Sequence, residues 1–266
     1  MNTLKVGFAR MNIDPPLGIP ICGYYIPRFA KGYLDSLEVN AMALELGQTR
    51  VALLSLDLCY TFLPLANRLR RAVAEATGIP FENVFLNCTH SHTAPCLHPE
   101  ETETHKSQVE KYVDLLEIRV ADAVAVALQD LKEAKMGFIQ GWAPERVAYI
   151  RRYKMKDGTT MTCPPIEDPN IDHPIGELDQ RVHILRFDRV GGDTVVLVNY
   201  GLHSDTVNGE LVCSDWPGWM RRTVETALEG TKCMFIPGAQ GDVGSTHVFP
   251  EGGDMNDTEI SFDNEM

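Results

Sequence analysis

Between Val109 and Leu131 apolar residues return at every third or fourth position: Val109, Tyr112, Val113, Leu116, Val120, Val124, Ala127 and Leu131. The spacing predicts a long helix with one apolar stripe. Ser107 and Glu110 stand at capping-box separation at its start. Such a stripe must be covered, and the chain offers mainly short apolar runs to cover it. "EVNAMALEL" and "RVALLSLDL" flank Gly47-Gln48-Thr49 and predict an antiparallel hairpin; "RVHILRFDRV" and "TVVLVNYGLH" flank Gly191-Gly192-Asp193 and predict a second. "ENVFLNC", "KMGFIQGWA", "RVAYIRRY" and "KCMFIP" read as further strands, and residues 163–179, rich in Pro and Asp, as a long loop. Two more helices are expected. One runs from about Leu63 to Ala76, with Leu65, Leu69 and Val73 on one face and Gly78 as its stop. The other is capped by Asp215, carries Pro217 in its first turn and ends at Gly230.

Alternating helices and strands with two hairpins give an α/β class: a mixed β-sheet core with flanking helices. No composition break marks a linker and no internal repeat is visible in the sequence. Residues 1–250 are therefore expected to form one domain, and 251–266 an acidic tail or loop. That last segment holds Glu251, Asp254, Asp257, Glu259, Asp263 and Glu265 without a single base.

The formal net charge of −13 argues against nucleic acid as a partner, because that binding rests on clustered Lys and Arg neutralising phosphates. Seven cysteines without a CxxC pair suggest neither a disulfide framework nor a thiolate zinc site. No signal-peptide pattern opens the chain, and no apolar run approaches the roughly 18 residues that span a bilayer. These features lead to the expectation of a cytoplasmic protein without a transmembrane segment.

Polar residues recur where the apolar strands stop: Asp57, His90 and His92 in "NCTHSHTAP", His203, and the turn "GAQGD" from Gly238 to Asp242. Ligands of open α/β sheets bind beyond strand ends, so these four ends are expected to converge. A catalytic zinc site takes three protein ligands and leaves a position for water, and His90, His92 and His203 can supply two or three of them. An isolated HxH pair serves equally as a hydrogen-bonded loop feature, so the residues leave both readings open. Arg151 could hold a substrate carboxylate or an oxyanion, or pair on the surface of an acidic protein. The glycine-rich turn could offer N–H groups to an anion or serve only chain reversal. Asp215 reads as a cap before an acid. His183 is expected to be packed or hydrogen-bonded, and His98, His105, His173 and His247 solvated in loops. P-loop, GxSxG and dinucleotide fingerprints are absent.

"ARMNIDPPLG", "CGYY", "LDSLEVNAMAL", "VALLSLDL", "NCTHSHTAP", "YIRRYKMKDGT", "LVNYGLHSDTV", "SDWPGW" and "GAQGDVGS" stand in the order and approximate spacing of the neutral/alkaline non-lysosomal ceramidase family. Residues 5 to about 245 resemble its amino-terminal catalytic domain. The resemblance implies the ceramidase fold and a hydrolase that cleaves a carbon–nitrogen amide bond with metal-activated water and Zn2+ as cofactor. By position, His90 and His203 match zinc ligands, His92 an active-site histidine beside the metal, and Arg151 an arginine near the substrate. His92 and Arg151 are then the proton-transfer and oxyanion-stabilising groups, with Gly238 and Asp242 placed at the substrate.

The chain departs from that family in three ways. Gly238-Ala239-Gln240-Gly241-Asp242 lacks the serine of the family's turn. The family's remaining ligands, a glutamate and a tyrosine, lie well downstream of it, which leaves three expectations open: another segment completes the site, a homo-oligomer or second chain does, or the site is incomplete here. Apolar membrane-facing loops are also missing, which points to a small polar substrate rather than ceramide. Two alternatives stay open: a metal-dependent lyase or isomerase on a sugar-like compound, and a non-catalytic split subunit completed by a partner.

Overall fold

The computed structural model describes residues 3–99, 102–246 and 248. The acidic tail predicted for 251–266, and His247, lie outside the described residues. Eight strands form the main sheet: β1 (Lys5–Asn12), β2 (Glu38–Leu46), β3 (Thr49–Leu56), β4 (Val84–Cys88), β5 (Lys132–Trp142), β6 (Arg181–Arg189), β7 (Thr194–Tyr200) and β8 (Thr231–Pro237). Three helices flank it: α1 (Leu63–Thr77), α2 (Lys106–Gln129) and α3 (Asp215–Ala227). The strand order is β8-β7-β6-β5-β1-β2-β3-β4. All pairs are antiparallel except β3 with β4 and β7 with β8. The mixed α/β class is as the sequence predicts.

This order contains a repeat that the sequence does not display. Each half is three antiparallel strands, a helix, and a fourth strand parallel to the third: β1-β2-β3-α1-β4, then β5-β6-β7-α3-β8. The halves meet at β1 and β5, which pair only through Lys5 with Glu133 and Val6 with Lys132. Strands far apart in this order also approach one another. Ser55 Oγ on β3 donates to the Phe235 carbonyl on β8, and Arg10 Nη2 on β1 donates to the Cys233 carbonyl at 2.9 Å. The sheet therefore curls, and Val6, Phe8, Met42, Phe187, Val195, Leu197 and Met234 fill its inner face.

The outer faces carry the helices. Leu65, Leu69 and Val73 of α1, and Val109, Tyr112, Val113, Leu116, Val120 and Val124 of α2, pack on Val39, Ala41 and Ala43 of β2 and Ala52, Leu54 and Leu56 of β3. Gly7 marks how close α2 comes, since a Cβ there would lie 1.8 Å from the Ala127 carbonyl oxygen. Gly78 ends α1 in the left-handed region, as the sequence predicts. The Ser107–Glu110 capping box does not form: α2 begins at Lys106, one residue before the proposed cap, behind a short 3-10 turn over Glu103–His105. The loop of 163–179 contains one short strand, Ile171–Pro174, in a small three-stranded sheet with Arg152–Met155 and Thr160–Thr162.

In the carboxy-terminal half the covering is thinner. Met136, Phe138, Ile139 and Trp142 of β5 are all exposed, although β5 is a central strand and its neighbouring side chains alternate between faces. His183 is not buried in a core but stacks on Phe138. No helix among the described residues is long and apolar enough to cross a membrane.

One buried ion pair ties α3 to the sheet. Asp57 and Arg221 are both fully buried. The Asp57 carboxylate accepts from Arg221 Nη1 at 2.9 Å and Nη2 at 2.6 Å, from Thr89 Oγ1 at 3.1 Å and from the Glu38 N–H at 3.0 Å. Burial works against the Arg221 charge, but Asp57 and Glu38 outweigh it and raise the pKa above the usual arginine value. Asp57 thus faces inward and does not join the other strand ends in a site. Breaking such a pair strands a charge, so Arg221→Met is expected to lower the unfolding free energy by about 3–5 kcal/mol. Adding Asp57→Leu should restore part of that loss. Urea denaturation of the single and double variants checks both.

Candidate metal centre

His90 and His92 stand on the loop that leaves β4, and His203 on the loop that leaves β7, one from each half of the sheet. Main-chain and hydroxyl contacts pin the loops together. The Ser204 hydroxyl donates to the Thr89 carbonyl at 2.7 Å, and the His92 N–H to the Ser204 carbonyl at 3.2 Å. Ser91 Oγ reaches the Cys213 carbonyl at 2.7 Å. His90 itself has φ of 72°, a left-handed conformation that is strained for a side chain with a Cβ. Held strain of this kind gathers at functional sites.

The three rings meet tip to tip. His90 Nε2 lies 3.1 Å from His203 Nε2 and 3.4 Å from His92 Nε2, and His203 Nε2 lies 3.0 Å from His92 Nε2. Their far nitrogens turn outward. His90 Nδ1 donates to the Cys59 carbonyl at 2.7 Å and His203 Nδ1 to the Gln240 carbonyl at 3.2 Å. His92 Nδ1 lies 3.3 Å from Asp205 Oδ1, without the alignment of a hydrogen bond. Burial depresses the His92 pKa to about 3, helped by the neighbouring His90 and His203. Burial and then Arg151 lower that of His203 to about 4. Neutral imidazoles are the ligand form of histidine.

This donor set fits a metal. A carbonyl only accepts, so the Nδ1 atoms of His90 and His203 carry the protons and their Nε2 atoms are bare lone pairs. Two lone pairs held 3.1 Å apart repel unless a cation lies between them. A tetrahedral zinc with nitrogen ligands at about 2.0–2.1 Å spaces those nitrogens by roughly 3.3–3.4 Å, close to the triangle described. Cys59, His90 and His92 also bring one donor atom each within 4.8 Å of one another, so the thiol is a second candidate donor.

The cluster lies in a cleft of about 1070 Å3 whose wall includes Tyr24, Arg28, Tyr60, Arg151, Cys163 and Asp205. Arg28 is buried, stacks on the Tyr24 ring and donates to the Gly209 and His92 carbonyls. Tyr24 in turn donates its hydroxyl to Asp205. Burial, reinforced by that hydrogen bond, raises the Tyr24 pKa, and burial raises that of Asp205. A recess of about 130 Å3 opens between Arg151, Pro164, His203, Asp205 and Gly244.

Gly238 and Asp242 are not on the wall of this cleft. The Gly238 N–H is donated to the Tyr200 carbonyl at 2.9 Å and is not free for an anion. The turn serves the site through its carbonyls: Gln240 O holds His203, Gly241 O accepts from Arg151 Nε at 3.1 Å and Nη2 at 2.9 Å, and Asp242 O accepts from the Arg151 N–H. Asp215 is not the cap of α3 but its first helical residue, after Ser214; its carboxylate accepts from the Trp216 N–H and clamps the preceding loop through the N–H groups of Thr206 and Val207. His105 is not simply solvated but lines the cleft beside Phe29, and His98 packs on Phe62; His173 is exposed beside Asp172. Sequence reasoning misses Asp205, Tyr24 and Cys59. Asp205 stands two residues beyond His203, and only the fold turns it back to His92.

No protein-family model and no curated protein matches the sequence. Solved structures do match. A ceramidase complexed with C2 superposes with a TM-score of 0.71 over 92% of this chain, at 17% identity, and the neutral ceramidase from Pseudomonas aeruginosa with 0.73 over 97%, also at 17%. The chain has the ceramidase fold. It spans 39% and 42% of those two proteins' own chains. The expected fold is thereby borne out, across sequences that share fewer than one residue in five.

Gly23, at the rim of this ceramidase-like cleft, has φ of 103°, and a Cβ there would lie 2.5 Å from the His92 ring. Gly23→Ala is expected to displace that ring and weaken zinc binding by about tenfold or more, with the far-UV circular dichroism unchanged. Competition with a chromogenic chelator reads the affinity.

Proposed function

We propose that the chain is a metal-dependent hydrolase that cleaves a carbon–nitrogen amide bond. The observation that carries this reading is the convergence of imidazole lone pairs from two strand ends at the floor of a cleft. The ceramidase fold supports the class of reaction. His90 and His203 would hold the metal through Nε2, their rings being held at Nδ1 by the Cys59 and Gln240 carbonyls. Zinc bound there would activate water and polarise the scissile carbonyl.

The remaining groups are the chain's own. Arg151 uses Nε and Nη2 on the Gly241 carbonyl, which fixes the guanidinium plane beside His203 and leaves Nη1 for a carbonyl oxygen that gains negative charge. Gly238 and Asp242 serve as the ends of the turn that aims Arg151 and His203. The recess beside Arg151 suits a small group, in keeping with a small polar amide as substrate.

A second reading concerns assembly. The exposed Met136, Phe138, Ile139 and Trp142 on a central strand favour a further polypeptide, a second copy or another chain, laid over β5. Light scattering on the eluting protein separates a lone chain from an assembly.

Elemental analysis of the purified chain is expected to find about one zinc per chain, lost in a His90→Ala, His203→Ala double variant. A panel of small N-acyl amides, run beside sugar acids and ketoses, should show turnover of amides alone. Arg151→Met should lower kcat by about 10²–10³-fold with little change in KM. Turnover of ketoses instead would favour the lyase or isomerase alternative.

A further inference from the structure

The geometry points to His92 as a third metal ligand, backed by Asp205. This rests on the metal-dependent reading and sharpens it. It differs from what the resemblance implies, in which His92 stands beside the metal and transfers protons while donors from farther along complete the site.

The argument begins with the equality of the three tips. His92 Nε2 is no more distant from its neighbours, at 3.0 and 3.4 Å, than His90 and His203 are from each other at 3.1 Å. A histidine standing outside the coordination shell would hold its tip one layer back. A single N–H on His92 Nε2 could satisfy one of its two contacts but would leave the contact between the lone pairs of His90 and His203 unrelieved. One cation at the common vertex relieves all three.

The second observation lies behind the ring. Ligating histidines place a carboxylate or carbonyl at the far nitrogen, which fixes the tautomer and increases the basicity of the ligating atom. His90 and His203 each have a carbonyl there, and His92 has Asp205 Oδ1 at 3.3 Å. Asp205 is itself held by the Tyr24 hydroxyl, and the Tyr24 ring meets His92 edge-on at 5.6 Å between centroids. His92 is 7% exposed, and Gly23 packs against its ring. Each ring thus has an oxygen behind it, hydrogen-bonded at His90 and His203 and 3.3 Å away at His92.

Cys59 is the competing third donor, and the geometry works against it. Its Sγ lies 3.8 Å from His90 Nδ1, the nitrogen already committed to the Cys59 carbonyl. The thiol thus contacts the nitrogen of His90 opposite the shared vertex, although it stays within 4.8 Å of a His92 nitrogen.

The test is a metal titration of the full chain, using zinc with a competing chelator and Co2+ as a spectroscopic probe. Three-histidine ligation predicts that His92→Ala weakens zinc binding by about 100-fold or more and Asp205→Asn by about 10–100-fold, while Cys59→Ser changes it less than about twofold. The Co2+-loaded unmutated chain should show tetrahedral d–d bands without a thiolate-to-cobalt charge-transfer band, a readout that does not depend on any variant folding. X-ray absorption at the zinc edge should count three imidazoles. A thiolate band, two imidazoles, or unchanged affinity in a folded His92→Ala protein would each overturn the inference while leaving a metal-dependent hydrolase standing. An unmutated chain that binds neither ion would overturn both.

Discussion

The Asp57–Arg221 pair is the interaction on which the site depends. Asp57 ends β3 and Arg221 belongs to α3, so one buried contact locks the first half of the sheet to the helix of the second. Its energetic value is not the Coulomb attraction, since desolvating two charges consumes most of that gain. What it confers is position. The same carboxylate accepts from Thr89, the residue before His90, and from the Glu38 N–H at the start of β2. With those lone pairs committed, the loop that leaves β4 has little freedom. The left-handed turn at His90 is then held by its surroundings despite its strain.

The repeated architecture explains why the site lies where it does. Each half places its parallel strand pair at an outer edge, β3 with β4 and β7 with β8, and the curl of the sheet brings those edges together. The loops beyond β4 and β7 can then interleave, as the Ser204–Thr89 and His92–Ser204 hydrogen bonds show. Neither half alone has the three histidines. A ligand cluster at this junction needs both halves folded and curled, which couples the site to the tertiary structure as a whole.

Much of this was legible in the sequence because it rests on local rules. The periodicity of α2, the Gly78 stop of α1 and the two hairpins each follow from spacing and turn residues. So did the placement of His90, His92 and His203 beyond strand ends. What was hidden depended on contacts across the fold. Asp57 stops a strand just as the histidines do, yet a guanidinium 164 residues away draws it inward. The repeat of the halves lies in strand order and connection, which the residue sequence does not display. Asp205 and Tyr24 gain meaning only from each other, 181 positions apart. The Ser107–Glu110 motif failed for a local reason: the chain is already helical at Lys106, so Ser107 is not a cap.

The glycine-rich turn shows how a site can keep its geometry while changing its residues. "GAQGD" lacks the serine that the resembling family carries, and its glycine N–H is spent on strand pairing. Its main-chain carbonyls nonetheless orient His203 and Arg151. Carbonyl positions follow from backbone conformation, which many sequences can adopt, whereas a hydroxyl requires one of a few residue types. The aim of His203 and Arg151 therefore rests on the turn's backbone and not on any side chain within it.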